Sequence, residues 1–170
     1  MDIFIEQIIK KKFGKSDYLI FAAVLLGSCV ILGVFAVCIP MLLLPVLVGV
    51  FAADYYLITS RNLEYEYSVT NGDITIDKII NRRRRKKVIS VDAHDIEFLG
   101  KYKREDHRNQ TYSARFSAAE NENGKDAWCF LARHPQKGNV LVLFSPNEKI
   151  LAAIKPFLSR QVAVNAFGRN

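Results

Sequence analysis

Between Tyr18 and Ala53 the chain contains no Asp, Glu, Lys, Arg or His. A soluble core element does not need so long an uncharged stretch. A membrane-spanning helix needs roughly 20 apolar residues, so this run is close to two spans placed end to end. Cysteine is also scarce: three in 170 residues, an odd number without a CxxC pair. That pattern argues against a disulfide framework and a cysteine-based zinc site. Cys29 and Cys38 fall inside the apolar run and Cys129 in a predicted strand, where free thiols behave as small hydrophobes. Also missing are a glycine-rich phosphate loop, a Gly-x-Ser-x-Gly elbow and a His-Glu-x-x-His pair. His94, His107 and His134 are separated and lack metal-ligand spacing. Asp92, His94 and Asp95 are close in sequence, but strand-like neighbours direct their side chains to different faces. Cys129 beside Trp128 reads as core, not as a nucleophile. No catalytic residue, cofactor or metal site follows, and the chain is predicted not to be an enzyme.

What is present is basic: 24 Lys and Arg against 17 Asp and Glu, a formal charge of +7. The excess is concentrated. Lys10, Lys11, Lys12 and Lys15 precede the apolar run, and Arg82, Arg83, Arg84, Arg85, Lys86 and Lys87 stand together after it. Basic flanks stay on the cytoplasmic side of a membrane. Both flanks are basic and the link between the spans is uncharged, so both termini are predicted to be cytoplasmic in a multi-pass protein of the cell membrane.

Residues 1–15 read as an amphipathic segment. Phe4, Ile5, Ile8 and Ile9 recur at helical spacing, with Lys10, Lys11 and Lys12 placed to meet anionic lipid. The competing reading is a cytoplasmic tail packed on the soluble domain. Gly14 would end that helix and Ser16-Asp17 would cap the next. Residues 16–59 form the predicted two-helix hairpin, with spans at about 18–37 and 40–58 divided by Pro40. Tyr18, Tyr55 and Tyr56 fall on one side of the bilayer, where amphipathic rings prefer to sit. Asp54 lies near the cytoplasmic end of the second span, within reach of headgroups, with no His, Lys or Glu partner in either span. Leu26-Gly27-Ser28-Cys29 outlines a lipoprotein cleavage box, but cleavage there would leave a second apolar stretch that makes a lipid anchor redundant.

From residue 60 to 170 the period changes to two. Leu63, Tyr65, Tyr67 and Val69 alternate with polar residues, Asn71-Gly72 supplies a tight hairpin turn, and Ile74, Ile76, Ile79 and Ile80 return. Further strands are predicted at 87–91, 96–101, 111–117, 127–133 and 140–144, with an exposed loop at 118–125 and a turn at 134–138. Ser145, Pro146 and Glu148 resemble a helix start, followed by a stripe of Ile150, Leu151, Ile154, Phe157 and Leu158; the tail from Gln161 is expected to fray. The predicted fold class is thus a membrane α-helical hairpin plus an α+β soluble domain. The latter has the element order of a pleckstrin-homology (PH)-like antiparallel barrel of about seven strands with a C-terminal helix.

Two spans near the start, then Glu64-Tyr65-Glu66-Tyr67-Ser68-Val69-Thr70-Asn71-Gly72, the basic run at 82–87 and Ile89-Ser90-Val91 resemble a family of small uncharacterised bacterial membrane proteins. In that family, a domain of unknown function, two N-terminal spans carry a bacterial PH-like soluble domain. The resemblance implies architecture and no activity. The basic run is the main functional feature, because adjacent cations need solvent or an anionic partner. Arg82 to Lys87, with Lys10, Lys11 and Lys12, are therefore the candidate lipid-binding residues, taking anionic phospholipid headgroups. A topology signal with a solvated loop competes with that reading, and so does an acidic protein. Nucleic acid is disfavoured because no aromatic stacking platform is interleaved. The expected function is non-enzymatic: a membrane-anchored PH-like module that touches anionic lipid and binds an unknown protein partner along an exposed face or edge. The alternatives are an accessory subunit of a membrane transport or export complex, in which Asp54 matters, and an uncharacterised enzyme.

Overall fold

In the computed structural model, which describes residues 4–107 and 110–168, the first element is a strand. β1 (Phe4–Lys10) pairs antiparallel with β2 (Leu63–Thr70), from Phe4 opposite Thr70 to Lys10 opposite Glu64. The amphipathic-helix expectation for this segment is overturned; its residues 1–3 lie outside the described range. The cause is a degeneracy in the spacing. Apolar pairs four residues apart share a face in a helix and also in a strand, since four is a multiple of two. Ile5, Gln7 and Ile9 turn inward, and Phe4, Glu6, Ile8 and Lys10 outward. Gln7 is accommodated by the chain entering the last helices: its Nε2 donates to the Ser145 carbonyl (3.0 Å) and its Oε1 accepts from Asn147 N (2.8 Å).

Two long helices fill the connection between these paired strands. α1 (Lys15–Cys38) ends at Ile39, a short 3₁₀ turn covers Pro40–Leu42, and α2 (Leu43–Thr59) returns to β2. α1, and α2 taken together with that turn (Pro40–Thr59), are long and apolar enough to cross a membrane by length and composition, and almost none of their side chains is buried. Pro40 divides them as expected. Pro45 sits inside α2 near its start. Because β1 and β2 are neighbours, both ends of the helical pair return to the same edge of the same domain.

That domain has two four-stranded sheets. One, in the order β1-β2-β3-β4, continues through β3 (Asp73–Ile80) and β4 (Arg84–Asp92). Asn71 and Gly72 make the β2–β3 turn with positive φ values of 49° and 98°, as the Asn-Gly pair requires. The second sheet, in the order β5-β7-β8-β6, comprises β5 (Ile96–Lys101), β6 (Ala114–Ala118), β7 (Trp128–His134) and β8 (Gly138–Phe144). Two corrections to the predicted barrel follow. The sheets are not closed onto each other, and β6 runs parallel to β8 while the other pairs are antiparallel. A period-two pattern reports which face is buried and says nothing of strand direction or sheet closure.

The facing surfaces enclose Tyr67, Val69, Ile74, Ile76, Phe130, Val142 and Phe144, all at or near zero exposure. Phe144 meets Tyr67 and Phe130 edge to face at 5.8 and 5.3 Å. Tyr67 joins the layers through its phenol, which donates to the Ala118 carbonyl (2.5 Å) and accepts from Ser145 N (3.0 Å). Burial pushes that phenol well above its ordinary pKa.

The C-terminal segment closes one end as two helices. Asn147, not Ser145, caps α3 (Glu148–Ile154) by accepting from Ile150 N; the Ser145 hydroxyl is used by Glu120 N instead. Pro156 ends the first helix in a 3₁₀ turn. Ser159 then caps α4 (Arg160–Phe167), which packs on β5 and buries Val162, so the expected fraying from Gln161 does not occur up to Phe167; residues 169–170 lie outside the described range.

Candidate functional site

The cations singled out in the sequence gather where the two long helices meet the domain. β3 ends at Ile80 and β4 begins at Arg84, so the run at 82–87 is a tight turn followed by a strand, not a projecting loop of six. Asn81 and Arg82 take left-handed φ values of 49° and 54°, and Asn81 N is held by the Asn62 carbonyl (2.8 Å), next to the end of α2. A bulge opposite the Ile76–Asp77 step then lets Asp77 face Lys87 and Ile79 face Arg85.

Strand alternation divides the run between two faces. On the outer face Arg85 pairs with Glu66 (2.5 Å), and from the turn Arg82 pairs with Glu64 (3.1 Å). Arg84 and Lys86 follow Ile80 and Lys78 on the other face. Arg83 and Arg84 make no ion pair among the described residues. They line a cavity of about 230 Å³ with Tyr55 and Tyr56 of α2, Ile80 and Asn81.

Lys10, Lys11 and Lys12 reach the same end from β1. Lys10 is exposed opposite Glu64. Lys11 is committed to Asp17 (3.1 Å). Lys12 pairs with Glu120 (2.9 Å) and donates its backbone N–H to the Glu120 carbonyl (2.8 Å). The structure therefore brings all nine candidate cations to one end of the domain and leaves only some of them without a carboxylate.

Asp17 was missed as more than a capping residue. Its side chain is buried and accepts from Gly14 N (3.0 Å), Lys11 Nζ (3.1 Å), and Arg61 Nε and Nη2 (2.9 and 2.6 Å). One carboxylate thus ties the start of α1 to the chain leaving β1 and the chain leaving α2. Close by, Ser16 Oγ donates to Glu122 (2.6 Å), seating the 119–126 loop on the start of α1. A Cβ at Gly14 would fall 1.5 Å from the Glu122 carboxylate, so a larger residue there would displace the side chain that holds Ser16. The cationic surroundings show in Lys78, whose pKa is lowered first by burial and then by Arg61, Lys11 and Lys86. Asp54, assigned no partner from sequence, sits with both carboxylate oxygens 2.8 Å from Ser28 Oγ of α1. A serine is invisible to a search for charged partners.

The residues considered for catalysis fall elsewhere. Asp92 and His94 touch, contrary to the expectation that they diverge: Asp92 Oδ1 lies 2.7 Å from His94 Nδ1 and accepts from His94 N (2.8 Å). The 3₁₀ turn at Ala93–Asp95 folds the two together, and these contacts hold the exposed Asp92 carboxyl below its usual pKa. His107 meets Cys129 (Nε2 to Sγ, 3.4 Å) and Tyr112 (Nδ1 to Oη, 2.7 Å), with Tyr102 stacked on its ring. Burial pushes the Cys129 thiol up to about 12, so it stays protonated and is a poor nucleophile. Among the described residues no three His, Cys, Asp or Glu side chains gather as metal ligands.

No curated protein and no solved structure matches the chain. A family model described as "Bacterial PH-like domain (DUF6106)" matches residues 1–164, a span that takes in β1, both long helices and both sheets. With two N-terminal apolar helices set between the first two strands of a PH-like domain, the chain belongs to this bacterial PH-like family.

Proposed function

We propose that the protein is a non-enzymatic, membrane-anchored PH-like module whose basic end contacts the anionic headgroups of the inner leaflet. α1 and α2 cross the cell membrane as a hairpin, and both termini are cytoplasmic. One observation carries the reading: the cations of both basic segments converge on the end of the domain from which the two apolar helices leave. A helix of 24 residues is about 36 Å long at 1.5 Å per residue, enough for a hydrocarbon core of about 30 Å. The apolar side chains of both helices lie outside the domain core, which fits lipid and disfavours a buried soluble helix. Each cation held near an anionic surface contributes about 1 kcal/mol, so several fix the orientation of the domain.

The module's second task is to bind a protein partner, and the strand edges β4 and β6 offer unpaired backbone for it. The edge of β1 is less open, because Gln7 bridges it to Ser145 and Asn147. The Asp54–Ser28 contact lies between α1 and α2, which makes Asp54 a fastener of the hairpin and lowers the case for a transport subunit built around it.

The test uses the whole chain, since β1 belongs to the sheet. The protein is placed in nanodiscs of neutral or anionic lipid and amide hydrogen exchange is followed across 80–88, with a variant carrying Gln at the six cations as reference. Anionic lipid should slow exchange there, and about 0.5 M salt should reverse it, since the Debye length then falls well below 10 Å. Equal exchange in both lipids would sink the proposal.

A further inference from the structure

We infer that the cavity between the end of α2 and the β3–β4 turn is a specific site for the phosphodiester of one anionic phospholipid, held by Arg83 and Arg84. The inference rests on the membrane reading above and narrows it from a diffuse basic surface to two of the six cations.

Three observations carry it. The sheet satisfies the other arginines internally: Glu64 takes Arg82 and Glu66 takes Arg85, while Arg83 and Arg84 have no carboxylate among the described residues. Those two are also the charged residues that line the cavity of about 230 Å³. Guanidinium groups bind phosphate oxygens through paired N–H donors, a geometry lysine does not offer. Finally, the remaining walls suit a lipid better than a free ion. Tyr55 and Tyr56 are exposed rings on the last turns of an apolar helix, where aromatic residues sit at headgroup depth, and Ile80 adds an apolar side.

The donor inventory sharpens the assignment. Thr59 and Ser60 also border the cavity, but their hydroxyls donate to the Tyr55 and Leu57 carbonyls of their own helix (2.6 and 2.7 Å). The carbonyls at the end of α2 repel an anion, so the positive charge that attracts one comes from the two arginines. The left-handed turn at Asn81 and Arg82 aims them there; an extended connection would continue the alternation of β4.

The full chain, purified in neutral detergent, is titrated with phosphatidylglycerol and examined by native mass spectrometry. Diacylglycerol, soluble glycerophosphoglycerol and inorganic phosphate are run in parallel. Wild-type protein should retain one phosphatidylglycerol and no diacylglycerol. R83Q/R84Q should weaken that binding about tenfold or more, since bonds to a charged group contribute about 1.5–3 kcal/mol each. K86Q/K87Q removes the same charge from the basic run outside the cavity and should weaken binding clearly less than R83Q/R84Q does, with tryptophan fluorescence confirming that each variant is folded. Equal losses in the two variants would overturn the site and leave the diffuse electrostatic reading standing. Binding of soluble headgroup or phosphate as tightly as lipid would overturn the lipid as the source. Absence of any anionic-lipid dependence would overturn both the site and the proposed function.

Discussion

Replacing Asp17 with Asn removes one charge from the point where three chain segments meet. Oδ1 of Asp17 takes two donors from Arg61, and Oδ2 takes Lys11 Nζ and Gly14 N. An amide has one oxygen, so either the guanidinium or the Lys11–Gly14 pair then faces an NH₂ donor. Breaking a buried ion pair from one side costs about 3–5 kcal/mol. Side-chain exposure is 1% at Asp17 but 16% at Lys11 and 32% at Arg61, so the stranded cations recover part of their hydration. About 2–3 kcal/mol is therefore expected. R61Q leaves Asp17 with Lys11 and Gly14 N, and should cost about 1–2 kcal/mol. The double variant should lose less than the sum of the singles, because the two share one interaction. The assay is urea denaturation of the full chain in neutral micelles at low salt. It is read by Trp128, the one tryptophan, which stacks on Phe167 at 6.0 Å. Urea is preferred because guanidinium would screen the effect. A D17N midpoint within about 0.5 kcal/mol of wild type at unchanged m, or full additivity with R61Q, would refute the fastening role.

Tyr67→Phe keeps the core ring but strands the Ser145 N–H and removes a donor from the Ala118 carbonyl; it should cost about 2–4 kcal/mol in the same denaturation, and a cost below about 0.5 kcal/mol would mean that water replaces the phenol. Cys129 should resist maleimide at pH 8 until the domain unfolds, as peptide mapping of labelled protein would show; rapid labelling under native conditions would contradict its burial. Because its folded pKa is raised to about 12 from 9.0, the folded state holds the proton longer, so the thiol's contribution is intact below pH 9 and is lost as pH rises from 9 towards 12; denaturation midpoints across that range check the sign. Asn81→Val should cost about 1–2 kcal/mol through its left-handed φ, whereas Asn81→Gly should be tolerated, and equal effects would mean that the turn relaxes.

Much of the fold was legible because burial follows the period. The Leu63-Tyr65-Tyr67-Val69 alternation, the Asn71-Gly72 turn and the 134–138 turn all lie where local chemistry is decisive. Errors arose where a pattern was consistent with two structures or where a long-range partner decided. The Phe4-Ile5-Ile8-Ile9 spacing suited helix and strand alike, and pairing with β2 settled it. Ser145 resembled a cap, but Glu120 N claimed its hydroxyl and Asn147 capped the helix. The basic run was visible at once; its division was not, because it depends on a bulge opposite Ile76–Asp77 and on glutamates two strands away. Asp17 and Arg61, 44 positions apart, could be paired only after β1 was placed beside β2.

The insertion of the helices between neighbouring strands has a mechanical consequence. A domain attached to a spanning segment by one linker can rotate and rise, and its surface charges then act only on average. Here the chain leaves the sheet at Lys10 and re-enters it at Leu63, two strands' ends that are already hydrogen-bonded neighbours. Lys11 N donates to the Leu63 carbonyl (2.9 Å), continuing the ladder past β1, and Asp17 and Glu122 then grip the first turns of α1. Each contact shortens the lever between helix and sheet. The Arg83–Arg84 cavity is lined from both sides of this connection, by the β3–β4 turn and by the tyrosines of α2. Loosening the connection should therefore weaken lipid retention even with both arginines intact. D17N should lower phosphatidylglycerol binding in the native mass spectra, with salt-dependent attraction to anionic membranes largely preserved. If D17N retained lipid as well as wild type while its domain was measurably destabilised, the cavity would not depend on how rigidly the sheet is held to the helices.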